Sequence, residues 1–69
     1  MSTEDILQIV ATQRQIECDI SNLRHGRITE EARHTCQVLD AVALQICEKT
    51  GTYYYIYEDM CELREEKAL

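Results

Sequence analysis

The chain contains no proline and only two glycines, Gly26 and Gly51, among its 69 residues. Interruptions of regular structure are therefore expected at only two places, because proline and glycine are the strongest local breakers. Each glycine follows a segment with helical periodicity, which is the usual position of a glycine that ends a helix. These absences predict three helical segments separated by two short turns.

A basic N-terminal leader and closely spaced cysteine pairs are also missing. The first five residues include two acidic residues, Glu4 and Asp5, and no basic one. A secretory leader begins with basic residues, so we expect a cytoplasmic protein with reduced thiols. Structural zinc sites use ligand pairs such as C-x2-C, and none occurs here. We therefore predict no disulfide, no metal and no cofactor, with cysteines packed as small apolar side chains. The four are Cys18, Cys36, Cys47 and Cys61.

Basic residues are few and scattered, and the formal net charge is −6. Phosphate binding needs clustered lysine and arginine, so we do not expect a nucleic-acid partner. No apolar run approaches the ~20 residues of a membrane-spanning helix. The sequence has no glycine-rich phosphate loop, and neither Ser2 nor Ser21 lies in a nucleophile-elbow context. We therefore expect a protein that is not an enzyme.

The length predicts one small domain, residues 1–69. A chain of this size buries only about 60% of the surface that its unfolded form exposes, so its core is marginal. Small domains gain stability from disulfides, metals or partner chains. With the first two not expected, a partner chain is the predicted source.

The first segment predicts a helix over about residues 3–25, with Ser2 or Thr3 as its N-cap. Its large apolar side chains alternate in steps of three and four, which is a heptad a/d pattern with Gln13 at one polar position. We predict that this face packs against the second helix inside the hairpin. The residues are Ile6, Ile9, Ile16, Ile20 and Leu23.

The second segment predicts a helix over about residues 29–50, with Thr29 as its N-cap. The turn before it is short, so the two helices should be antiparallel. We expect its small residues to face the large residues of the first helix. The predicted core positions are Cys36, Leu39, Ala43 and Ile46.

The second helix has more apolar surface than one antiparallel neighbour can cover. Val38, Val42 and Leu44 lie beside the predicted core positions. Surplus apolar area of this kind indicates a second contact. Either a partner protein or the third segment of this chain could provide it, and the sequence leaves both open.

The third segment, about residues 52–66, predicts either a separate helix or a kinked extension of the second helix through Gly51. It carries four tyrosines within five positions, which cannot all face inward on a helix. Tyrosine is enriched at protein interfaces because it buries a large area and keeps a polar hydroxyl. We predict partner contacts by Tyr53, Tyr54, Ile56, Tyr57 and Met60.

The predicted fold is therefore all-α, an antiparallel helical hairpin with a C-terminal third helix or a kinked extension of helix 2. Three segments within residues 5–58 resemble the YscE/PscE-type E component of type III secretion. They are the turn LRHGRI at residues 23–28, the segment VLDAV at 38–42 and the tyrosine-rich YYYIY at 53–57. The chain departs from that family in a slightly shorter turn. It also lacks an aromatic residue early in helix 2, where His34 or Cys36 is nearest.

The resemblance implies a cytoplasmic co-chaperone. Such a protein would bind a tetratricopeptide-like partner chaperone and help to keep the secretion needle subunit monomeric before export. It would have no catalytic role. The resemblance implies partner contacts through Val38, Val42 and Leu44 together with the tyrosine-rich end.

Two other functions remain open from the sequence. The heptad pattern is equally typical of a homodimer in which two hairpins form a four-helix bundle. The string CQVLD at residues 36–40 is similar to the S-Q-E-L-D motif of helical-hairpin phosphatases that act on response regulators, although it differs at two of its positions.

Overall fold

The computed structural model describes the backbone of residues 1–68 and the side chains of residues 1–61. Its helices are α1 (Thr3–His25), α2 (Glu30–Thr50) and α3 (Tyr54–Ala68). No strand occurs in this described part of the chain, which confirms the all-α class.

The first two helices form an antiparallel hairpin, as predicted. Cys18 contacts Cys36, and Arg14, one turn earlier on α1, contacts Asp40, one turn later on α2. As the residue number decreases on α1, the number of its contact on α2 increases, which shows that the two helices are antiparallel.

The helix ends are set by local hydrogen bonds. Ser2 caps α1 by accepting from the backbone N–H of Asp5, while the Asp5 side chain accepts from the Ser2 N–H, which completes a capping box. At the other end, Gly26 adopts φ +69°, a left-handed conformation that glycine adopts without steric cost. Thr29 caps α2 by accepting from the N–H of Ala32.

The hairpin turn is held by one buried serine. The Ser21 hydroxyl donates to the carbonyl of Arg27 at 2.7 Å and accepts from the N–H of Thr29 at 3.0 Å. Ser21 is only 5% exposed, so these bonds satisfy a buried hydroxyl. The Ser21 side chain thus joins the end of α1 to the segment that leads into α2.

The third segment is a separate helix and not a kinked extension of α2. Gly51 ends α2 with φ +72°, and its N–H and that of Thr52 both donate to the carbonyl of Cys47. The α3 helix then begins at Tyr54 and packs against both other helices, more extensively against α1.

The core lies where the three helices meet and is built mainly from small side chains. Among the side chains of residues 1–61, only Tyr57 and Leu7 are large and fully buried. The buried cluster contains Leu7, Ala11, Ala43, Cys47, Tyr57 and Cys61.

The predicted contact face of α1 is wrong. Its members remain exposed, at 37% for Ile6, 56% for Ile9, 42% for Ile16, 38% for Ile20 and 86% for Leu23. α1 instead buries Leu7, Ala11 and Ser21. Leu7 and Ala11 lie in one buried cluster with Ala43 and Cys47 of α2. Most members of this contact are small, and the large aliphatic side chains of the predicted face remain outside it.

On α2, Cys36 and Ala43 are buried at their predicted core positions. Leu39 and Ile46 are only half-buried, although Ile46 still packs against the core cluster. The buried face of α2 is completed by Ala32 and Cys47.

Candidate protein-binding surface

One side of α1 is an exposed stripe of large aliphatic residues, here called the isoleucine face. It consists of Ile6, Ile9, Ile16, Ile20 and Leu23. From the first to the last it covers about 25 Å of helix, at 1.5 Å per residue. The only polar side chain within its a/d register is Gln13. A helix with an apolar stripe normally turns that stripe towards other protein.

Two exposed valines of α2 extend this stripe. Val38 and Val42 are 49% and 41% exposed, and they lie one turn apart on the same side of α2. A groove of about 160 Å³ at the turn end of the hairpin is lined by Ile20 from α1 and Thr35 from α2. Thr35 lies three and seven residues before these valines, so it shares their side. The valines and the isoleucine face are therefore on the same side of the hairpin, and we call them together the aliphatic surface. The groove between the two helices is also lined by the charged side chains of Glu17, Arg24 and Glu31.

Leu44 does not belong to this surface, contrary to the sequence prediction that grouped it with the valines. It is 43% exposed. A step of two residues on a helix turns a side chain by about 200°, so Leu44 points away from Val42. It provides an exposed aliphatic residue of matched accessibility on another side of the molecule.

The tyrosine-rich segment divides between surface and core. Tyr53 and Tyr55 are 69% and 57% exposed, and their rings stack with centroids 5.6 Å apart. Tyr57 is 1% exposed, so the prediction that it contacts a partner is wrong. Tyr54 is half-buried beside it.

The two aliphatic residues predicted alongside these tyrosines are less accessible. Ile56 and Met60 are both half-buried, and Met60 packs against the core cluster. Most of the described apolar side chains of α3 therefore pack inside this protein. Tyr53, together with its neighbour Tyr55, remains available to another molecule.

A carboxylate joins all three helices. One oxygen of Asp40 accepts a hydrogen bond from the Tyr57 hydroxyl at 2.6 Å and from the Arg14 Nε at 3.1 Å. Burial, and then the hydrogen bond to Asp40, raise the pKa of Tyr57 well above its ordinary value. This network positions α3 on the hairpin. Sequence reasoning missed it, because neither the three-four spacing nor composition indicates which polar side chains will meet between helices.

Two thiols also meet inside the hairpin. The Sγ atoms of Cys18 and Cys36 are 3.6 Å apart. Cys18 is half-buried, whereas Cys36 is 5% exposed. Burial, with a further contribution from the contact with Cys18, raises the pKa of Cys36 to about 12.

The segment that resembles the phosphatase motif does not present a set of polar groups to solvent. Cys36 is buried, and Asp40 is engaged by Arg14 and Tyr57. Only Gln37 of its polar side chains is fully exposed. Among the described residues there is no group of three or more histidine, cysteine or acidic side chains that could hold a metal ion.

The charged residues that flank the isoleucine face are mainly acidic. In the heptad register of the a/d residues, the positions beside the stripe include Asp5, Glu17 and Asp19, with Arg24 as the basic exception. Such flanking charges select the partner and orientation of a packed helix. The charge pattern here suits a helix with basic flanks.

Within residues 1–68 no helix is both long enough and apolar enough to cross a membrane. Comparison with known proteins finds no matching family model, no matching curated protein and no matching solved structure.

Proposed function

We propose that this chain is a co-chaperone that binds a helix of a partner chaperone through its aliphatic surface. In the specific form of the proposal, the partner is a tetratricopeptide-like chaperone, and the complex keeps a type III secretion needle subunit monomeric before export. The observation that carries the proposal is the exposure of the isoleucine face.

Exposure of this stripe is costly for an isolated domain. Full burial of a large aliphatic side chain contributes about 1.5–3 kcal/mol, and Ile9 and Ile16 are about half exposed. Covering each would therefore add on the order of 1 kcal/mol. Single exposed aliphatic residues are ordinary on protein surfaces, but a contiguous stripe marks an interaction site.

A helix is the occupant that the stripe fits best. The a/d spacing of Ile6, Ile9, Ile16, Ile20 and Leu23 is the spacing into which the side chains of a second helix insert. Tetratricopeptide-like repeats consist of helices, so they can supply one. The net charge of −6 and the acidic flanks oppose a second copy of this chain and favour a partner helix with basic flanks.

The area needed is available. A stable interface of standard size covers about 800 Å² per partner, which is about a sixth of the chain's accessible surface of 5040 Å². A strip that runs along α1 and includes Val38 and Val42 can supply an area of that order.

The resemblance of residues 23–28, 38–42 and 53–57 to the YscE/PscE-type component supports the type III secretion role. The geometry supports the binding of a helix. The two parts of the proposal can therefore be tested separately.

The test is affinity capture from the native cells with tagged wild-type chain and two matched variants. Ile16→Gln alters the isoleucine face, and Leu44→Gln alters a residue of equal exposure elsewhere, at 43% against 42%. We expect a tetratricopeptide-like chaperone with a short helical needle subunit to accompany wild type and Leu44→Gln. The affinity of Ile16→Gln for the purified chaperone, measured by calorimetry, should fall about tenfold or more.

Three other results would change the proposal in different ways. Equal binding of both variants would show that the isoleucine face is not the binding surface. A helical partner unrelated to secretion, lost only with Ile16→Gln, would keep the surface and reject the secretion role. If only untagged copies of this chain are captured, the co-chaperone proposal is wrong and the protein is a homodimer.

A further inference from the structure

We propose that Cys18 and Cys36 form a reversible disulfide under peroxide stress, which makes the hairpin an oxidation-sensitive element. The two Sγ atoms belong to different helices and lie 3.6 Å apart, and the two residues are 18 positions apart in the sequence. This inference is independent of the partner proposed above.

The separation requires only a small movement. A disulfide bond is about 2.05 Å long, so the two sulfurs must approach each other by about 1.5 Å. Rotation of the two side chains can provide part of this movement. The contact already excludes other side chains from the space between the thiols.

The two thiols differ in a way that assigns their roles. Cys18 is half-buried and can meet a dissolved oxidant, whereas Cys36 is 5% exposed. Burial keeps Cys36 protonated by raising its pKa to about 12. Cys18 is therefore the thiol that reacts first, and Cys36 is the resolving thiol.

The reaction balances with hydrogen peroxide as the oxidant. Cys18 first loses its thiol proton, and the thiolate attacks one peroxide oxygen. The O–O bond breaks, the product is a sulfenic acid, and the hydroxide that leaves takes up the proton lost by Cys18 and becomes water. The Cys36 sulfur then attacks the Cys18 Sγ. The S–O bond breaks, and the hydroxide that leaves takes the Cys36 proton as a second water. The two sulfurs lose two electrons in total, and the peroxide gains them.

The consequence is a covalent link between α1 and α2. A crosslink that closes a loop of this length restricts the unfolded chain and so stabilises the fold. Cleavage by a dithiol reductant restores the two thiols through exchange. The two helices would thus be crosslinked under oxidising conditions, and the crosslink would be removed when reductant returns.

The test oxidises the full chain with hydrogen peroxide, then maps the cysteine linkages by mass spectrometry without reduction. We expect loss of two hydrogens, a linked pair of peptides containing Cys18 and Cys36, and a rise in Tm on the order of 10 °C that dithiothreitol reverses. Cys18→Ala should abolish both effects and, because Cys18 is half-buried, should still fold. Cys47→Ser should retain the linkage.

Three outcomes would overturn the proposal. They are persistence of both free thiols in the folded chain, a linkage of either cysteine to another residue, and dimers joined through Cys18. Circular dichroism of each variant confirms that the chain is folded before oxidation. The linkage yield should not change with protein concentration, because the reaction is within one molecule.

Discussion

The reassignment of the α1 face makes a quantitative prediction about two neighbouring residues. Leu7 is 0% exposed and Ile9 is 56% exposed. Substitution of a fully buried leucine by alanine costs about 2–5 kcal/mol. Less than half of Ile9 is covered, so Ile9→Ala should lose about 1 kcal/mol or less. Part of this loss is offset by the better helix propensity of alanine.

The assay is urea unfolding followed by circular dichroism of Leu7→Ala, Ile9→Ala and wild type. We expect a small decrease in the free energy of unfolding for Ile9→Ala. Leu7→Ala should have a much lower midpoint or be unfolded without denaturant, because the core is small. A loss for Ile9→Ala equal to that for Leu7→Ala would refute the reasoning, since it would return the isoleucine face to the interior.

Three further predictions concern α3, the helix ends and the buried thiols. Tyr57→Phe should lower the free energy of unfolding by about 1.5–3 kcal/mol, because it removes a hydrogen bond to the Asp40 carboxylate, whereas Tyr53→Phe should change it little in the same urea assay. Gly51→Ala should cost about 1 kcal/mol through its φ of +72° alone, because nothing lies within 4 Å of the added Cβ; thermal unfolding would measure it, and an unchanged Tm would contradict it. The pKa of Cys36 is raised from 9.0 to about 12, so the unfolded chain loses this proton first and stability should fall as pH rises from about 9 to 12. Cys36→Ala should show a shallower fall than wild type in pH-dependent urea unfolding, and equal slopes would contradict the assignment.

The helix boundaries could be predicted from the sequence because local chemistry sets them. Ser2 and Thr29 cap the helix starts, and Gly26 and Gly51 end helices in the left-handed conformation. These signals act within a few residues and need no knowledge of the tertiary fold. The break between α2 and α3 follows from the same local rule.

The orientation of α1 could not be predicted in this way. A three-four repeat identifies an apolar face but does not say which molecule covers it. The spacing of the large isoleucines predicts that they form the hairpin contact, whereas the structure buries Leu7, Ala11 and Ser21 of α1 instead. Small residues on both helices allow the helices to approach closely. The positions of these small residues in the sequence, and not those of the isoleucines, indicate the contact.

The candidate surface was therefore only partly visible in the sequence. Val38 and Val42 are exposed, as the surplus apolar area of the second helix predicts. The sequence does not distinguish Tyr57 from the neighbouring tyrosines. Tyr57 is the one that donates a hydrogen bond to Asp40, which lies on another helix. Contacts between distant residues of this kind have no local sequence pattern.

The central claim, that α1 presents its isoleucines to a partner, is tested most directly by methyl NMR of isoleucine-labelled protein with a soluble paramagnetic probe. In the isolated chain the methyl signals of Ile9 and Ile16 should be attenuated before that of Ile46, which packs against the core. Addition of the partner chaperone should protect the methyl groups of Ile9 and Ile16 from the probe. Equal attenuation of all three methyl signals in the isolated chain, or no protection in the complex, would contradict the account.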